Sequence, residues 1–165
     1  MKLFGSSLSG HVIKAAGLSA ALMLSVSASY AQSGGPFAGF DGNWSGTGTV
    51  ALSDGTTERI RCKANYRVAG VTLKQSLQCA SDSYKFILSS DVTSEGDRIS
   101  GNWSEASRNL NGELQGTAGR GQIEVFVQAA GFAASLSLRT SGNKQTVSIS
   151  SKGEIRGVNI TMSKT

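Results

Sequence analysis

The sequence predicts an all-β protein, an antiparallel meander of about ten short strands that forms a closed or partly open barrel. Apolar and polar residues alternate with period two along most of the chain after residue 42, as in strands with one buried face. Turns rich in Gly and Asp separate these segments. The one proline, Pro36, precedes them all, and no stretch after residue 31 keeps the 3.6-residue period of a helix. A β-sandwich is the alternative architecture.

The first 31 residues are typical of a secretory signal peptide. Lys2 and Lys14 precede a run of small and apolar residues over 15–28, and 29–31 has small residues at both positions that a signal peptidase reads. The run has 14 residues, fewer than the roughly 20 that a membrane-spanning helix needs. We therefore expect cleavage after Ala31 and a periplasmic or secreted protein.

The remaining chain is long enough for one domain. We expect a flexible N-terminal lead over 32–41 and a single barrel domain over 42–165. The only histidine, His11, leaves with the signal peptide, so the mature chain has no catalytic triad with His and no imidazole metal ligand. The formal charge falls from +5 to +3 when Lys2 and Lys14 are removed.

Alternation and turn residues place the strands in order along the domain. They are predicted near residues 43–52, 58–68, 73–79, 84–93, 98–105, 113–118, 122–128, 132–140, 145–151 and 155–163. Several turns are explicit in the sequence: Ser53-Asp54-Gly55, Glu95-Gly96-Asp97, Gly119-Arg120-Gly121, Ser141-Gly142-Asn143 and Lys152-Gly153-Glu154.

The two cysteines give the register of the second and third strands. If residues 69–72 form the turn, Val68 faces Leu73, and the same register places Cys62 opposite Cys79. An even pair of cysteines in an exported chain predicts a disulfide. With both thiols bonded, thiol catalysis and thiolate metal sites are excluded as well, and we expect no metal and no cofactor.

The tetrapeptide Gly-Asn-Trp-Ser occurs at 42–45 and again at 101–104, and it contains both tryptophans of the chain. In each copy the tryptophan shares a strand face with glycines. A glycine lets a strand bend, and a large ring on the same face fills the space that results. We interpret the two copies as a device that bends the barrel wall.

The outer face of the second and third strands carries a row of cations, Arg59, Arg61, Lys63, Arg67 and Lys74. One interpretation is a solvated face that discourages edge pairing. The other is a surface that docks an anionic envelope component, such as a lipid phosphate or an acidic glycan. Nucleic acid is not expected, because no aromatic residues alternate with these charges. The charged outer faces also predict that the chain does not span a membrane.

The stretch FAGFDGNW at 37–44 resembles the opening motif of the calycin superfamily, the lipocalin-like barrels. Phe37, Phe40, Gly42 and Trp44 match that motif. The resemblance implies that the tryptophan packs inside the barrel and that the aromatic stretch closes its base. The Thr-Asp-Tyr motif of lipocalins is absent, and no late-strand arginine is assigned to cover the tryptophan. Small exported bacterial protease inhibitors are similar in their early tryptophan and single disulfide.

These observations predict a non-enzymatic binding protein. Asp91, Glu105 and Glu113 are the only conceivable acid–base residues, and nothing in their spacing sets two of them across a cleft. The inner faces are apolar with a few polar groups, as in a ligand pocket. A small apolar ligand is therefore expected inside the barrel, against Trp44, Tyr66, Gln75, Tyr84, Trp103 and Glu105. The alternative is an envelope-associated interaction or inhibitor module that docks an anionic partner through the basic outer face.

Overall fold

The computed structural model describes residues 34–165, and the predicted signal peptide lies outside the described residues. The ten strands, in chain order, are β1 Gly42–Leu52, β2 Thr57–Ala69, β3 Thr72–Ala80, β4 Lys85–Glu95, β5 Arg98–Glu105, β6 Leu110–Gly119, β7 Gln122–Ala129, β8 Phe132–Ser141, β9 Lys144–Ser151 and β10 Ile155–Lys164. This described part contains no helix long and apolar enough to cross a membrane.

The strands form one closed antiparallel barrel, in which each strand pairs with its neighbours in sequence and β1 pairs with β10. The closing ladder runs from Trp44, opposite Lys164, to Leu52, opposite Ile155, with an irregularity after Ala51. Because every strand has two partners, no edge is left unpaired. The all-β meander is confirmed, and the barrel is closed rather than partly open or a sandwich.

The register predicted for β2 and β3 is also confirmed. Val68 pairs with Leu73, and Cys62 pairs with Cys79. The two cysteines form a disulfide with their Cα atoms 4.1 Å apart, and both are buried inside the barrel. The bond closes a loop with a sequence separation of 17 residues, which the chain-entropy model equates with about 3 kcal/mol of stabilisation.

Glycines on the inner face allow neighbouring strands to approach closely. A Cβ atom on Gly101 would lie 2.0 Å from the Asp91 carbonyl oxygen, and one on Gly46 would lie 2.0 Å from the Thr161 carbonyl oxygen. The same close approach occurs at Gly48, Gly112 and Gly116. Only a residue without a Cβ fits at these positions, of which Gly101 belongs to the tetrapeptide.

The base of the barrel is the end at which β1 begins and β10 finishes. Phe37 and Phe40 are 1% and 0% exposed there, and the Trp44 indole N–H donates to the Phe40 carbonyl oxygen at 2.8 Å. The Lys164 ammonium lies 5.4 Å from the centre of the Trp44 ring. Residues 36–40 form a turn, which burial of the two phenylalanine rings holds against the barrel.

The strand boundaries agree with the prediction to within two residues, except at the start of β6. That strand begins at Leu110, whereas the sequence placed its start near residue 113. The turn before it ends at Asn109, a non-glycine residue with a positive φ of 51°. Asn tolerates this left-handed conformation better than most residues, so the chain turns earlier than the glycine at position 112 suggested.

Candidate functional site: an apolar cavity inside the barrel

The barrel encloses a cavity of about 360 Å³ that extends from the base to the opposite end, which we call the mouth. Phe37 borders it at the base, and Arg108, Gly131 and Glu154 border it at the mouth, each in a loop between two strands. The wall is mostly aliphatic, including Leu77, Val92, Leu114, Val127, Leu138 and Val147. Arg108 and Glu154 both border the cavity and are exposed, which shows that the cavity reaches the surface at the mouth.

Two pairs of hydrogen-bonded polar side chains lie on the inner face. The Tyr66 hydroxyl donates to Gln145 Oε1 at 3.0 Å, and the Ser90 hydroxyl donates to Gln75 Oε1 at 3.0 Å. Burial raises the pKa of the Tyr66 hydroxyl, although its hydrogen bonds act in the opposite direction. Tyr66 is therefore neutral at physiological pH and acts as a hydrogen-bonding group rather than a base.

Trp103 forms part of the cavity wall in the half nearer the mouth. Its indole N–H lies 3.1 Å from the Glu113 carbonyl oxygen and 3.3 Å from the Gln128 carbonyl oxygen. Its ring centre is 5.7 Å from that of Phe132, the first residue of β8. Because the N–H is already bonded to backbone, the ring offers a ligand only its apolar surface.

Glu105 is buried beside the mouth and anchors the loop between β5 and β6. Its carboxylate accepts backbone N–H bonds from Ile87 at 2.9 Å, Ser107 at 3.0 Å and Arg108 at 2.8 Å. Burial alone would raise the pKa of this carboxyl, but the three N–H donors favour the charged form more strongly, and the pKa is lowered. The carboxylate therefore holds the loop and has little capacity left for a ligand or a proton.

Arg108 lies at the mouth and was not predicted from the sequence. Its guanidinium carbon is 4.9 Å from the centre of the Phe86 ring and 5.8 Å from that of Tyr84, within the range of a cation–π contact. The two rings are stacked, with centres 6.2 Å apart. The only sequence signal was an arginine placed between two strands, and such residues are common on solvated loops.

The structure brings four of the six predicted ligand residues to the cavity. Tyr66, Gln75, Trp103 and Glu105 border it, whereas Trp44 and Tyr84 do not. Trp44 instead packs at the base. Tyr84 lies outside the mouth, where its hydroxyl donates to Glu154 Oε1 at 3.1 Å, a bond that raises the pKa of the hydroxyl.

All five residues of the predicted basic surface are exposed on the outside of β2 and β3. Lys74 forms an ion pair with Asp91 at 3.0 Å. Among residues 34–165, the other four cations form no ion pair: Arg59, Arg61, Lys63 and Arg67.

Comparison with known proteins identifies the fold and goes no further. No protein-family model matches the sequence, and no curated protein matches it. The barrel is similar to the crystal structure of Rv2717c from M. tuberculosis, with a TM-score of 0.62 and 12% identity over 79% of this chain and 93% of that one. It is also similar to the S-type phycobiliprotein lyase CPES from Guillardia theta, with a TM-score of 0.53 and 10% identity over 78% and 90%.

Proposed function

We propose that this chain is a binding protein that holds a small apolar ligand inside its barrel. One observation carries the proposal: the barrel keeps a cavity of about 360 Å³ with a mainly apolar wall that reaches the surface at the mouth. Ligand pockets of about 300–1,000 Å³ are typical for small molecules. When a ligand covers an apolar wall, the free energy falls by about 25 cal/mol for each Å² of apolar surface removed from water.

We further propose that binding, rather than catalysis, is the function. The polar groups near the cavity are already bonded to other protein groups, such as Tyr66 to Gln145 and Glu105 to three backbone N–H groups. Within the described residues, every buried side-chain nitrogen and oxygen has a hydrogen-bond partner. A general base needs a free lone pair within reach of its substrate, so this arrangement favours a binding site.

Export to the periplasm or the medium is part of the proposal. The Cys62–Cys79 disulfide is consistent with an oxidising compartment, and the N-terminal sequence pattern favours secretion. Cell fractionation in which the full-length protein stayed with cytoplasmic markers would contradict this part.

Kinship with the calycin superfamily is proposed on the packing of the opening motif. Phe37 and Phe40 close the base, and Trp44 is buried above them, as that resemblance implies. The likeness to a phycobiliprotein lyase is one of fold at 10% identity, so the class of ligand has to come from the cavity's own lining.

A pair of neighbouring alanines on β8 tests binding inside the barrel. Ala134 is 3% exposed and borders the cavity, whereas Ala133 points outward and is exposed. With the neutral fluorophore N-phenyl-1-naphthylamine, we expect Ala134→Phe to weaken binding by about tenfold or more, because the added ring occupies the space of the ligand. Ala133→Phe should leave binding unchanged. Equal affinities for both variants and the wild type would rule out the interior site.

The second candidate is docking of an anionic envelope component, as an interaction or inhibitor module. It is favoured by four exposed cations on one strand face that form no ion pair in the described part of the chain: Arg59, Arg61, Lys63 and Arg67. Attraction through such a face weakens with salt, since the Debye length is about 8 Å at physiological ionic strength. Replacing all four by Ser should then release an envelope-bound protein while leaving fluorophore binding intact. Retention of the quadruple variant on envelope fractions would exclude this surface.

A further inference from the structure

The Arg108 guanidinium lies beside two aromatic rings and has unpaired N–H donors. Its carbon is 4.9 Å from the centre of the Phe86 ring and 5.8 Å from that of Tyr84. A guanidinium has five N–H donors in a plane, and none of them makes a hydrogen bond within residues 34–165. The side chain is 32% exposed at the mouth.

The loop that carries Arg108 is fixed. The Arg108 backbone N–H is bound by the Glu105 carboxylate, and the Ala106 N–H donates to the Ile87 carbonyl oxygen at 2.9 Å. Asn109, the next residue, adopts a left-handed conformation that ends the turn. The backbone from which the Arg108 side chain extends is therefore set by the folded protein and does not have to be organised by a ligand.

Arg108 forms an ion pair with Glu105 but keeps its hydrogen-bonding capacity. Nη1 lies 3.9 Å from Glu105 Oε2, too far for a hydrogen bond, and both oxygens of that carboxylate already accept backbone N–H bonds. Glu154, the other acid at the cavity, accepts the Tyr84 hydroxyl. Among the described residues that border the cavity, Arg108 is the only cation.

We infer that the ligand is an amphiphile with an oxyanion head, which Arg108 binds at the mouth while the apolar tail occupies the barrel. This inference rests on the proposed binding function and adds the chemistry of the head group. A carboxylate and a phosphate both present two oxygens that match the fork of a guanidinium, which a simple point charge does not match. Apart from a few bonded polar groups, the cavity beneath is aliphatic and aromatic, which suits a hydrocarbon tail.

Four ligands with the same ten-carbon tail test the head group by calorimetry at about pH 8, where a carboxylate is ionised. They are decanoate, decyl phosphate, 1-decanol and decyltrimethylammonium. We expect decanoate, decyl phosphate or both to bind about 10–100-fold more tightly than 1-decanol, the range that one to two charge-assisted hydrogen bonds provide. Whichever of the two anions binds more tightly shows whether the site prefers a carboxylate or a phosphate head group.

Variants assign the effect to Arg108. Arg108→Gln should remove the affinity advantage of the anions, measured as the ratio of anion to 1-decanol affinity in the same variant, and Arg108→Lys should restore only part of that ratio because the planar fork is lost. The matched control is Arg156→Gln, since Arg156 is exposed on β10 and does not border the cavity. It should behave as the wild type. Circular dichroism of each variant verifies that it is folded.

The outcomes separate this inference from the proposed function. If all four ligands bind with equal affinity and Arg108→Gln changes none of the affinities, the cavity binds the hydrocarbon tail whatever the head group. In that case only the inference is wrong. Tightest binding of decyltrimethylammonium would overturn it in the same way. If none of the four binds, both the inference and the proposed function fail.

Discussion

Trp44 and Trp103 stand in the same four-residue sequence, yet they lie at opposite ends of the barrel. Trp44 is 1% exposed and packs at the base, where its N–H is bonded to the Phe40 carbonyl oxygen. Trp103 borders the cavity, and its N–H is shared between two backbone carbonyl oxygens. The same side chain thus completes a packed plug in one place and forms the wall of an unfilled space in the other.

The glycine of the tetrapeptide also has a different role in each copy. Gly42 has a φ of +115°, a conformation that side chains other than glycine rarely adopt. Gly101 has no such need, but a Cβ there would lie 2.0 Å from the Asp91 carbonyl oxygen. The first copy uses glycine for its backbone freedom and the second for its lack of volume.

The residue that follows each copy also differs between the two ends. Gly46 lets β1 press against β10 near the base, whereas Glu105 turns its carboxylate onto the loop that carries Arg108. The same four residues therefore serve a packed end of the barrel in one copy and the cavity wall in the other.

Replacing each tryptophan by alanine should give the largest difference between the two ends. Trp44→Ala should lower the free energy of unfolding by about 3–5 kcal/mol, because it creates a void in packed surroundings. Trp103→Ala should cost at least about 1 kcal/mol less, since one side of that ring already faces a cavity. Urea unfolding of both variants measures this. Equal losses would mean that the two rings are equally packed and that the cavity is filled.

Substitutions at Gly42 and Gly101 should lower the free energy of unfolding by different amounts in the same assay. Gly101→Ala is expected to cost about 3 kcal/mol or more, because its Cβ meets the backbone of β4, which cannot rotate away. Gly42→Ala should cost about 1–2 kcal/mol, the penalty of a left-handed backbone in an L-residue. The atom that its Cβ would meet is Cε of Lys164, on a flexible side chain. A larger loss at Gly42 than at Gly101 would contradict the different roles.

Glu105, at the mouth, should make the stability of the folded protein depend on pH. The pKa of its carboxyl is lowered in the folded state from the ordinary value of 4.5. The stabilisation is therefore fully present above the unfolded pKa and is lost as the pH falls through the folded pKa. Glu105→Gln should be less stable than the wild type by about 1–3 kcal/mol near neutral pH, and the gap should narrow in acid.

Thermal unfolding between about pH 7 and pH 3 measures that gap. Glu95→Gln is the matched control, because Glu95 is exposed at the end of β4, on the base side. It should keep the acid dependence of the wild type. A gap for Glu105→Gln that stayed constant with pH would show that its carboxylate contributes by shape alone.

Local pairing was predictable from the sequence, and features that depend on the whole circumference were not. Alternation fixed the strands, and the pair Cys62 and Cys79 confirmed one register, because a hairpin is specified by residues close in sequence. Closure of β1 onto β10 depends on the summed twist of ten strands. Whether the interior is filled depends on side-chain volumes from every strand at once, so the cavity could not be derived from any one face.

Individual site residues follow the same division. Tyr66, Gln75 and Trp103 were found because they alternate inward on predicted strands. Trp44 was assigned to the ligand because its face is also inward, but its height in the barrel is set by the packed turn at Phe40. Arg108 lies in a loop, where period-two alternation carries no information.

The meander contains one ladder whose formation should be slower than that of the others. Nine of its ten ladders join strands that follow one another in the chain, and each can form as a local hairpin. The ladder between β1 and β10 is the exception, and it alone must bring together two segments separated by most of the domain, with the loop-closure entropy that this costs. Thr165, the last residue, donates its N–H to the Asn43 carbonyl oxygen at 2.9 Å. A circular permutant could join the end of β10 to the segment that precedes β1 and open one of the hairpin turns. It would keep every ladder, and only the ladder at the opened turn would then have to form between segments far apart in the chain.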